Sequence, residues 1–599
     1  RIMQMRMPGR PAGVHMNNVA GRTVISKLVT LLALLPGIPS GSATGDAAGE
    51  LRCENWCPGG AEKPVLVIGG GISGVTAASE LLRMGCSVKL IEAKGHLGGR
   101  TYGEVQDSGW VFNHGANWIH GAYPNPIWTL NQEHHIVRTQ WLPRTYYTRT
   151  KSGVVKHFGN ESYVPGKQMR HCFNDFATRH DHFKEWLSLS CNGHFNSRDL
   201  PMTYFVREYL RSHNVSGQTL DEFLLFFNAY ETFDVAADLY SASMINNVVT
   251  LFNRDKEFMV ADPYNRIVEF LAKQSGLDVV LDEPVRSVQY KDDGVEVVSR
   301  SGRVFHGSVV VVTVPVGVLK TPDIQFLPSL PPWKQRAISD MRMGLLEKIY
   351  FEYDEAWWEK SDAKEDAFWT VKPVERDAFR STASEWYNLH NLLNKTVPPV
   401  LLTTPAGYFA DELEFENDTV IVEVFSQELQ RIFPQATIPV PRRIKRTFHR
   451  QDEFQRGSYL APEVGMNPLS IPYLAEPVAQ RVFFAGEATN TVRFGYVDGA
   501  HTTGLRAAKQ VLSLCEAADA PVPFSAEGLT STLPPEEERI RRQWRAEVED
   551  ALQSTIPNCA LESLTPAWPL QPRPAQDATS MTGCTDAGTS GHNHTSLFV

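Results

Sequence analysis

The sequence predicts an α/β protein, with a Rossmann-like domain on a parallel sheet interleaved with an α+β domain, and three stretches predict it. Val65-Leu66-Val67-Ile68 is an unbroken apolar run, as a strand covered on both faces requires, and it leads directly into Gly69-Gly70-Gly71-Ile72-Ser73-Gly74. A second strand, Ser87 to Ile91, ends on a carboxylate, Glu92. Near the far end, Arg481-Val482-Phe483-Phe484-Ala485-Gly486-Glu487 repeats the theme of an apolar strand closed by Gly and a carboxylate, and a helix follows from Asp498 toward Leu512.

Each piece of the opening unit has a physical reason. In the GxGxxG turn, Gly69 permits the tight bend, Gly71 lets a pyrophosphate approach the backbone, and Gly74 lets the next helix lie close to the strand. That helix carries Val75, Ala78, Leu81 and Leu82 on one face, and its first amides, around Ile72 and Ser73, form an anion site with the helix dipole. Glu92 is placed to accept hydrogen bonds from both ribose hydroxyls of a dinucleotide, which disfavours a 2′-phosphate. Gly98-Gly99-Arg100 adds backbone amides and a guanidinium beside the same diphosphate, which favours FAD over NAD.

The bulk composition bounds the function. A chain of 599 residues with 42% hydrophobic and 10% aromatic content buries a large core and forms more than one domain. A net charge of -10 gives no footprint for nucleic acid, while a mild negative field attracts cationic ligands. Arg22 and Lys27 precede the apolar run Leu28 to Leu35, and the small residues Ser40 to Ala43 follow, so the segment after Met16 reads as a secretory signal peptide and the residues before it as upstream sequence. The run is too short to span a bilayer, and no membrane span is expected elsewhere. Cys53 and Cys57 could pair with each other or with distant partners, and sequons at Asn160, Asn214, Asn394, Asn417 and Asn593 suit glycosylation on a secretory route. No residue set is assigned to a metal.

The expected domain order follows the composition. Residues 1–45 are upstream sequence and signal peptide, and 64–123 the first part of the nucleotide domain. Residues 124–260 form the first part of a second domain, helical around Asp221 to Phe227. The nucleotide domain resumes over 261–319, with a hairpin of Val285–Tyr290 and Val295–Ser299 and a buried strand at Ser308–Val312. A second excursion spans 320–445 and contains Lys348 at the start of an alternating strand. The nucleotide domain closes over 446–515, and 516–599 is a mostly disordered tail with one charged helix from Pro535.

Taken together, the GxGxxG turn, Glu92, Gly98-Gly99-Arg100, Gly115-Ala116-Asn117-Trp118, Val314-Pro315-Val316-Gly317-Val318-Leu319 and Phe484-Ala485-Gly486-Glu487-Ala488-Thr489 resemble the flavin-dependent amine oxidases, and among them the polyamine oxidases, over roughly residues 64 to 515. The resemblance implies FAD bound across two interleaved domains, a Rossmann-like FAD-binding domain and an α+β substrate-binding domain. It places Glu92 on the adenosine ribose, Val285 by the adenine, Arg100 and Glu487 near the diphosphate and ribityl chain, and Gly115, Ala116, Asn117, Trp118 and Val497 nearer the isoalloxazine. Lys348 matches the family lysine that holds a water against flavin N5. Tyr459 and Tyr496 match the two aromatic positions that sandwich the substrate amine, where rings exclude water and attract cations. His120 stands at the slot mouth, where some polyamine oxidases carry Glu and others His. Glu231 and Asp234 fall in a region that supplies further carboxylates.

Three departures from the family pattern stand out. His449 occupies a position often held by Trp, Pro263-Tyr264-Asn265 replaces a Gly pair, and Ser458 stands where monoamine oxidases attach flavin through Cys, so the FAD is expected to be noncovalent. The implied reaction is oxidation of a C–N bond of spermine or spermidine to an imine, which hydrolyses to aldehyde and amine, with O2 reduced to H2O2. A monomer or homodimer suits it. The competing expectations are an oxidase of other amines or L-amino acids and a non-catalytic flavin-binding interaction protein.

Overall fold

The computed structural model describes residues 63–122, 125–142, 256–360, 367–374, 377–467 and 469–516, with short pieces between 156 and 243. The expectations for residues 1–45, for the tail helix and for Glu231, Asp234, Cys53 and Cys57 lie outside the described residues.

Five strands form one parallel sheet: β1 (Val65–Ile68), β2 (Val88–Ile91), β3 (Asp278–Val280), β4 (Val310–Val312) and β5 (Val482–Phe484), in lateral order β3-β2-β1-β4-β5. Every neighbouring pair runs parallel. The side chains of β1 and β4 are buried throughout, each contributing about 1.5–3 kcal/mol. Helix α1 (Ile72–Arg83) starts three residues after β1 and packs against α2 (Val497–Glu516), with Ser73 Oγ and Thr503 Oγ1 3.3 Å apart and Thr76 Oγ1 2.8 Å from His501 Nδ1. Gly69 adopts φ 108°, a backbone that L side chains rarely accept. A Cβ at Gly74 would stand 2.0 Å from the Gly69 carbonyl oxygen, so no larger residue fits between turn and helix.

A second sheet of seven strands, in order Arg443–Arg446, Ile349–Glu352, Val400–Pro405, Asp377–Asn388, Ala367–Val374, Lys156–Phe158 and Ser162–Tyr163, makes the other half. The Asp418–Ile432 helix, capped by the Asn417 side chain, lays Ile421, Phe425 and Leu429 over Phe351, Trp386 and Leu401. The opposite face sets Tyr350, Tyr387 and Leu402 against Trp110, Phe112 and Met259. The strand after Lys348 is therefore buried at all four positions, Ile349 to Glu352, and does not alternate as expected.

Three smaller sheets accompany these halves, one of them the pair Gly103–Val105 and Val111–Asn113. The Val285–Lys291 and Gly294–Ser299 hairpin also pairs, in parallel, with Gln325–Leu327, so the nucleotide half continues past residue 319, where the sequence suggested it stopped. Glu257–Val260 lies between Trp118–His120 and Thr139–Leu142, which brings the two sides of the first excursion onto the Trp118 run.

Candidate active site

Open α/β sheets bind ligands beyond the carboxyl ends of their strands, where the strand order reverses. Here that point lies between β1 and β4, and a cleft of about 1490 Å³, counting its open mouth, begins there at Gly71, Ile72 and Ser73. A smaller cleft of about 810 Å³ contains Gly69, Glu92, Gly99 and Val285. Gly71, Arg100 and Thr313 line both, so the two adjoin.

The residues fit a dinucleotide. A Cβ on Gly71 would meet only the Gly98 carbonyl oxygen, at 3.9 Å, leaving the backbone at the start of α1 open to the cleft. Glu92 is buried, with one carboxylate oxygen accepting from the Gly70 amide at 2.5 Å and the other from the Lys94 amide at 2.8 Å, which fixes its orientation. Burial raises its pKa, and those two hydrogen bonds pull it back down. Arg100 Nη1 donates to the Ser458 carbonyl at 2.9 Å and to Glu487 Oε1 at 2.8 Å. Glu487 Oε2 accepts from the Gly495 amide at 2.8 Å, so one carboxylate ties the Gly99-Arg100 loop to the turn that carries Tyr496. Gly74 does not line either cleft; its place is against the turn.

The larger cleft also contains Lys348, Tyr459, Tyr496, His120 and His449, five residues from four distant segments. Its far wall is the Gly115-Ala116-Asn117-Trp118 run, with Glu487 and Val497 closing it. Lys348 is buried at the start of its strand, and its Nζ donates to Asn117 Oδ1 at 2.8 Å, to the Asn113 carbonyl at 3.3 Å and to the Gly115 carbonyl. Burial lowers its pKa to about 7, and Glu347 raises it. The three oxygen acceptors favour the ammonium, so both protonation states lie within reach near neutral pH. Glu347 points the other way, accepting from the His449 amide at 2.9 Å and from the Thr447 hydroxyl, and burial raises its pKa to about 7.

Tyr459 is wedged by Gly495, whose φ is 79° and whose Cβ, if present, would lie 3.2 Å from the Tyr459 ring. The Arg493 guanidinium sits 3.9 Å from the Tyr496 ring centroid and is held by a bidentate pair with Asp498 at 2.9 Å. The His120 ring meets Tyr496 edge-on at 5.1 Å, and its Nδ1 lies 3.0 Å from a Glu257 carboxylate oxygen. Ser458 Oγ donates to the Leu346 carbonyl and accepts from its amide.

A family model described as flavin containing amine oxidoreductase matches residues 72–512. The chain belongs to that family. It is 28% identical over 462 residues to polyamine oxidase 4 of Oryza sativa subsp. japonica, covering 74% of this chain and 88% of that one. It is 28% identical over 481 residues to polyamine oxidase 1 of Zea mays, covering 76% and 91%. It is also similar to lysine-specific histone demethylase 2 of Homo sapiens, at 25% identity over 458 residues that cover 75% of this chain and 53% of the other. As a member of the flavin-containing amine oxidoreductases, the protein is an FAD-dependent amine oxidase.

The structure thus gathers the cofactor and cleft residues named from sequence into two adjoining clefts, except Gly74, with Glu231 and Asp234 outside the described residues. Sequence reasoning missed Asn113, Glu257 and Gln455. Asn113 stands two residues before Gly115-Ala116-Asn117-Trp118 and gave no signal of its own, Gln455 lies four residues before Tyr459, and Glu257 has no local signal because strand pairing alone brings it to His120. Among the described residues no group of three or more His, Cys, Asp or Glu could hold a metal, and no helix is long and apolar enough to cross a membrane.

Proposed function

We propose that this amine oxidase acts on polyamines of the spermine and spermidine type, cleaving a C–N bond beside a secondary amine. The observation that carries the reading is the joint placement of Lys348, Tyr459, Tyr496 and His120 along one cleft, with Glu257 behind His120 at 3.0 Å. FAD held by the Gly71–Ser73 backbone, Glu92 and Arg100 would supply the hydride acceptor for the carbon next to the amine nitrogen and the route for its electrons to O2, giving H2O2. The phenol rings of Tyr459 and Tyr496 bound an apolar slot that excludes water and orients a flexible aliphatic chain. Lys348 holds or releases a proton at Nζ within the same slot. His120 and Glu257 offer an acceptor to a second nitrogen farther along the chain, a contact a monoamine cannot make. The imine product hydrolyses to an aldehyde and a shorter amine.

An L-amino acid oxidase would need a cation aimed at the substrate carboxylate. Arg493 is the guanidinium beside Tyr496, and Asp498 engages it on two nitrogens, which supports the polyamine reading over that one. Ser458 offers a hydroxyl bonded to Leu346 and no thiol, which supports noncovalent FAD. We also propose secretion, supported by the leader-like run Leu28 to Leu35, by the disulfide-bonded Cys86 and by exposed sequon asparagines at 394 and 417.

The test is anaerobic mixing of the yellow holoenzyme with spermine, spermidine, their N-acetyl forms, a monoamine, L-amino acids and a methyl-lysine peptide, followed by mass identification of the products. Bleaching by polyamines at rates well above the others is expected. Equal or faster bleaching by a monoamine or an amino acid overturns the substrate reading, as does bleaching only by a methyl-lysine peptide.

A further inference from the structure

Both ring nitrogens of His449 point at oxygen atoms. Nδ1 lies 2.7 Å from Gln455 Oε1, and Nε2 lies 3.0 Å from the His114 carbonyl oxygen. The Gln455 amide cannot turn to offer its NH2 instead, because that group donates to Asp452 Oδ2 at 3.0 Å and Asp452 is also paired with Lys94. A neutral imidazole has one N–H and therefore leaves one lone pair facing an acceptor; an imidazolium satisfies both contacts without moving. The site is built for a proton, and the ring lines the same cleft as Lys348, Tyr459 and Tyr496.

We propose that His449 takes up a proton when the bound FAD is reduced and gives it up when O2 reoxidises the cofactor. The inference rests on the amine oxidase activity and not on the choice of amine. The balance leaves a proton for such a group. Loss of a hydride from the carbon of a neutral amine R–CH2–NHR′ leaves the iminium R–CH=NHR′+, and its conversion to the imine R–CH=NR′ frees one proton that a buried base can hold. Return of the cofactor consumes O2, the hydride and one proton to form H2O2, so the stored proton completes the cycle.

The surroundings set when this happens. Burial pushes the His449 pKa down to about 4, with Lys348 acting in the same sense, while Gln455, Asp452 and the His114 carbonyl act against them. Glu347 accepts from the His449 amide, and Lys94 partly neutralises Asp452. The His114 ring is itself held down to about 4 by burial, with His449 contributing. With oxidised cofactor the balance favours neutral imidazole. Negative charge added to the cleft on reduction favours the imidazolium, for which both hydrogen-bond partners are already in place.

The test is a spectroelectrochemical titration of the holoenzyme without substrate at a series of pH values on the alkaline side of neutrality, where the reduced cofactor is the anion, reading protons taken up per two electrons. Hydride-equivalent reduction alone takes one; the proposal gives two in the wild type, one in His449→Trp, and two in Lys348→Met. A wild-type value of one, a value of two in His449→Trp, or a fall to one in Lys348→Met overturns it. Should His449→Trp fail to bind FAD, Gln455→Leu serves: loss of one acceptor moves the two-proton window to lower pH, and an unmoved window is the contrary result. Failure of the polyamine reading leaves this measurement unaffected.

Discussion

At the Glu92 end of the cleft the groups that face a dinucleotide, Gly69, Gly71, Glu92, Gly99 and Arg100, come from one stretch, residues 69 to 100, with walls added from residues 283–285, 313–324 and 454–455, whereas the Lys348 end draws its reacting side chains from segments a hundred or more positions apart. The first end is backbone chemistry. A turn, a helix start and a strand end place amides and one carboxylate, and their geometry follows from local φ and ψ. The second end is side-chain chemistry held by tertiary contacts. Arg100 to Glu487 to Gly495, and Lys348 to the Asn113–Asn117 run, set the positions of groups whose own neighbours in sequence say little. The difference teaches that cofactor binding and turnover can be broken separately, and each substitution below acts on one side of that division.

The largest effect is expected at Gly74. A side chain there drives a Cβ to within 2.0 Å of the Gly69 carbonyl oxygen, a backbone contact that no rotamer relieves, and 2.9 Å of the Thr313 hydroxyl. Gly74→Val is expected to abolish FAD binding, seen as loss of the flavin band at about 450 nm in the purified protein. Retention of a full complement of FAD would break the comparison at its base. Lys348→Met comes next. FAD is retained because no FAD-end residue changes, and turnover falls by roughly 10²–10⁴, the range for losing a group that moves a proton. The wild-type rate should also change with pH around 7, rising as the amine with its burial-lowered pKa loses its proton and can accept one. Stopped-flow rates from pH 6 to 9 check both points, and the inflection should vanish in Lys348→Met.

The same contrast explains what could be read from the chain. Four strands of the parallel sheet, the hairpin and the Glu92 end were legible because each is an apolar or alternating run with its glycines or closing carboxylate within a short stretch, whereas the Asp278–Val280 strand, too short and with an exposed Asp278, was not. Lys348 was legible only through family resemblance, since a lysine opening an apolar strand carries no signal of what its Nζ will reach. The carbonyls of Asn113 and Gly115 that receive it belong to the backbone, which sequence does not label. Glu257 and Gln455 were missed because strand pairing and a turn deliver them to His120 and His449. The end of the second nucleotide segment was placed at 319 because the Gln325–Leu327 strand, with Phe326 between two exposed residues, lacks the apolar run that marks buried strands.

Glu487 bridges the two ends, so Glu487→Gln sharpens the comparison by loosening both. An amide oxygen replaces only one of the acceptors for Arg100 and the Gly495 amide, and losing a charge-assisted hydrogen bond costs about 1.5–3 kcal/mol. FAD affinity is expected to fall about tenfold or more, measured by titration of apoprotein, with a smaller fall in the reduction rate of the FAD-saturated enzyme. A loss confined to the reduction rate would place Glu487 wholly at the Lys348 end.

The smallest effect is expected at Gly495. Its φ of 79° makes an alanine there strained by about 1 kcal/mol, and the new methyl, 3.2 Å from the Tyr459 ring, pushes that phenol toward the slot. The substitution keeps the backbone amide that donates to Glu487 and changes no residue of the Glu92 end. Gly495→Ala should therefore keep its FAD and lose only a few degrees of thermal stability, while the KM for the amine rises several-fold as the slot narrows. Steady-state kinetics with a short and a long polyamine distinguish this from a general loss of structure: a narrowed slot penalises both to the same extent, since both present an identical aliphatic chain to the phenols, whereas a damaged mouth near His120 and Glu257 penalises the longer one more.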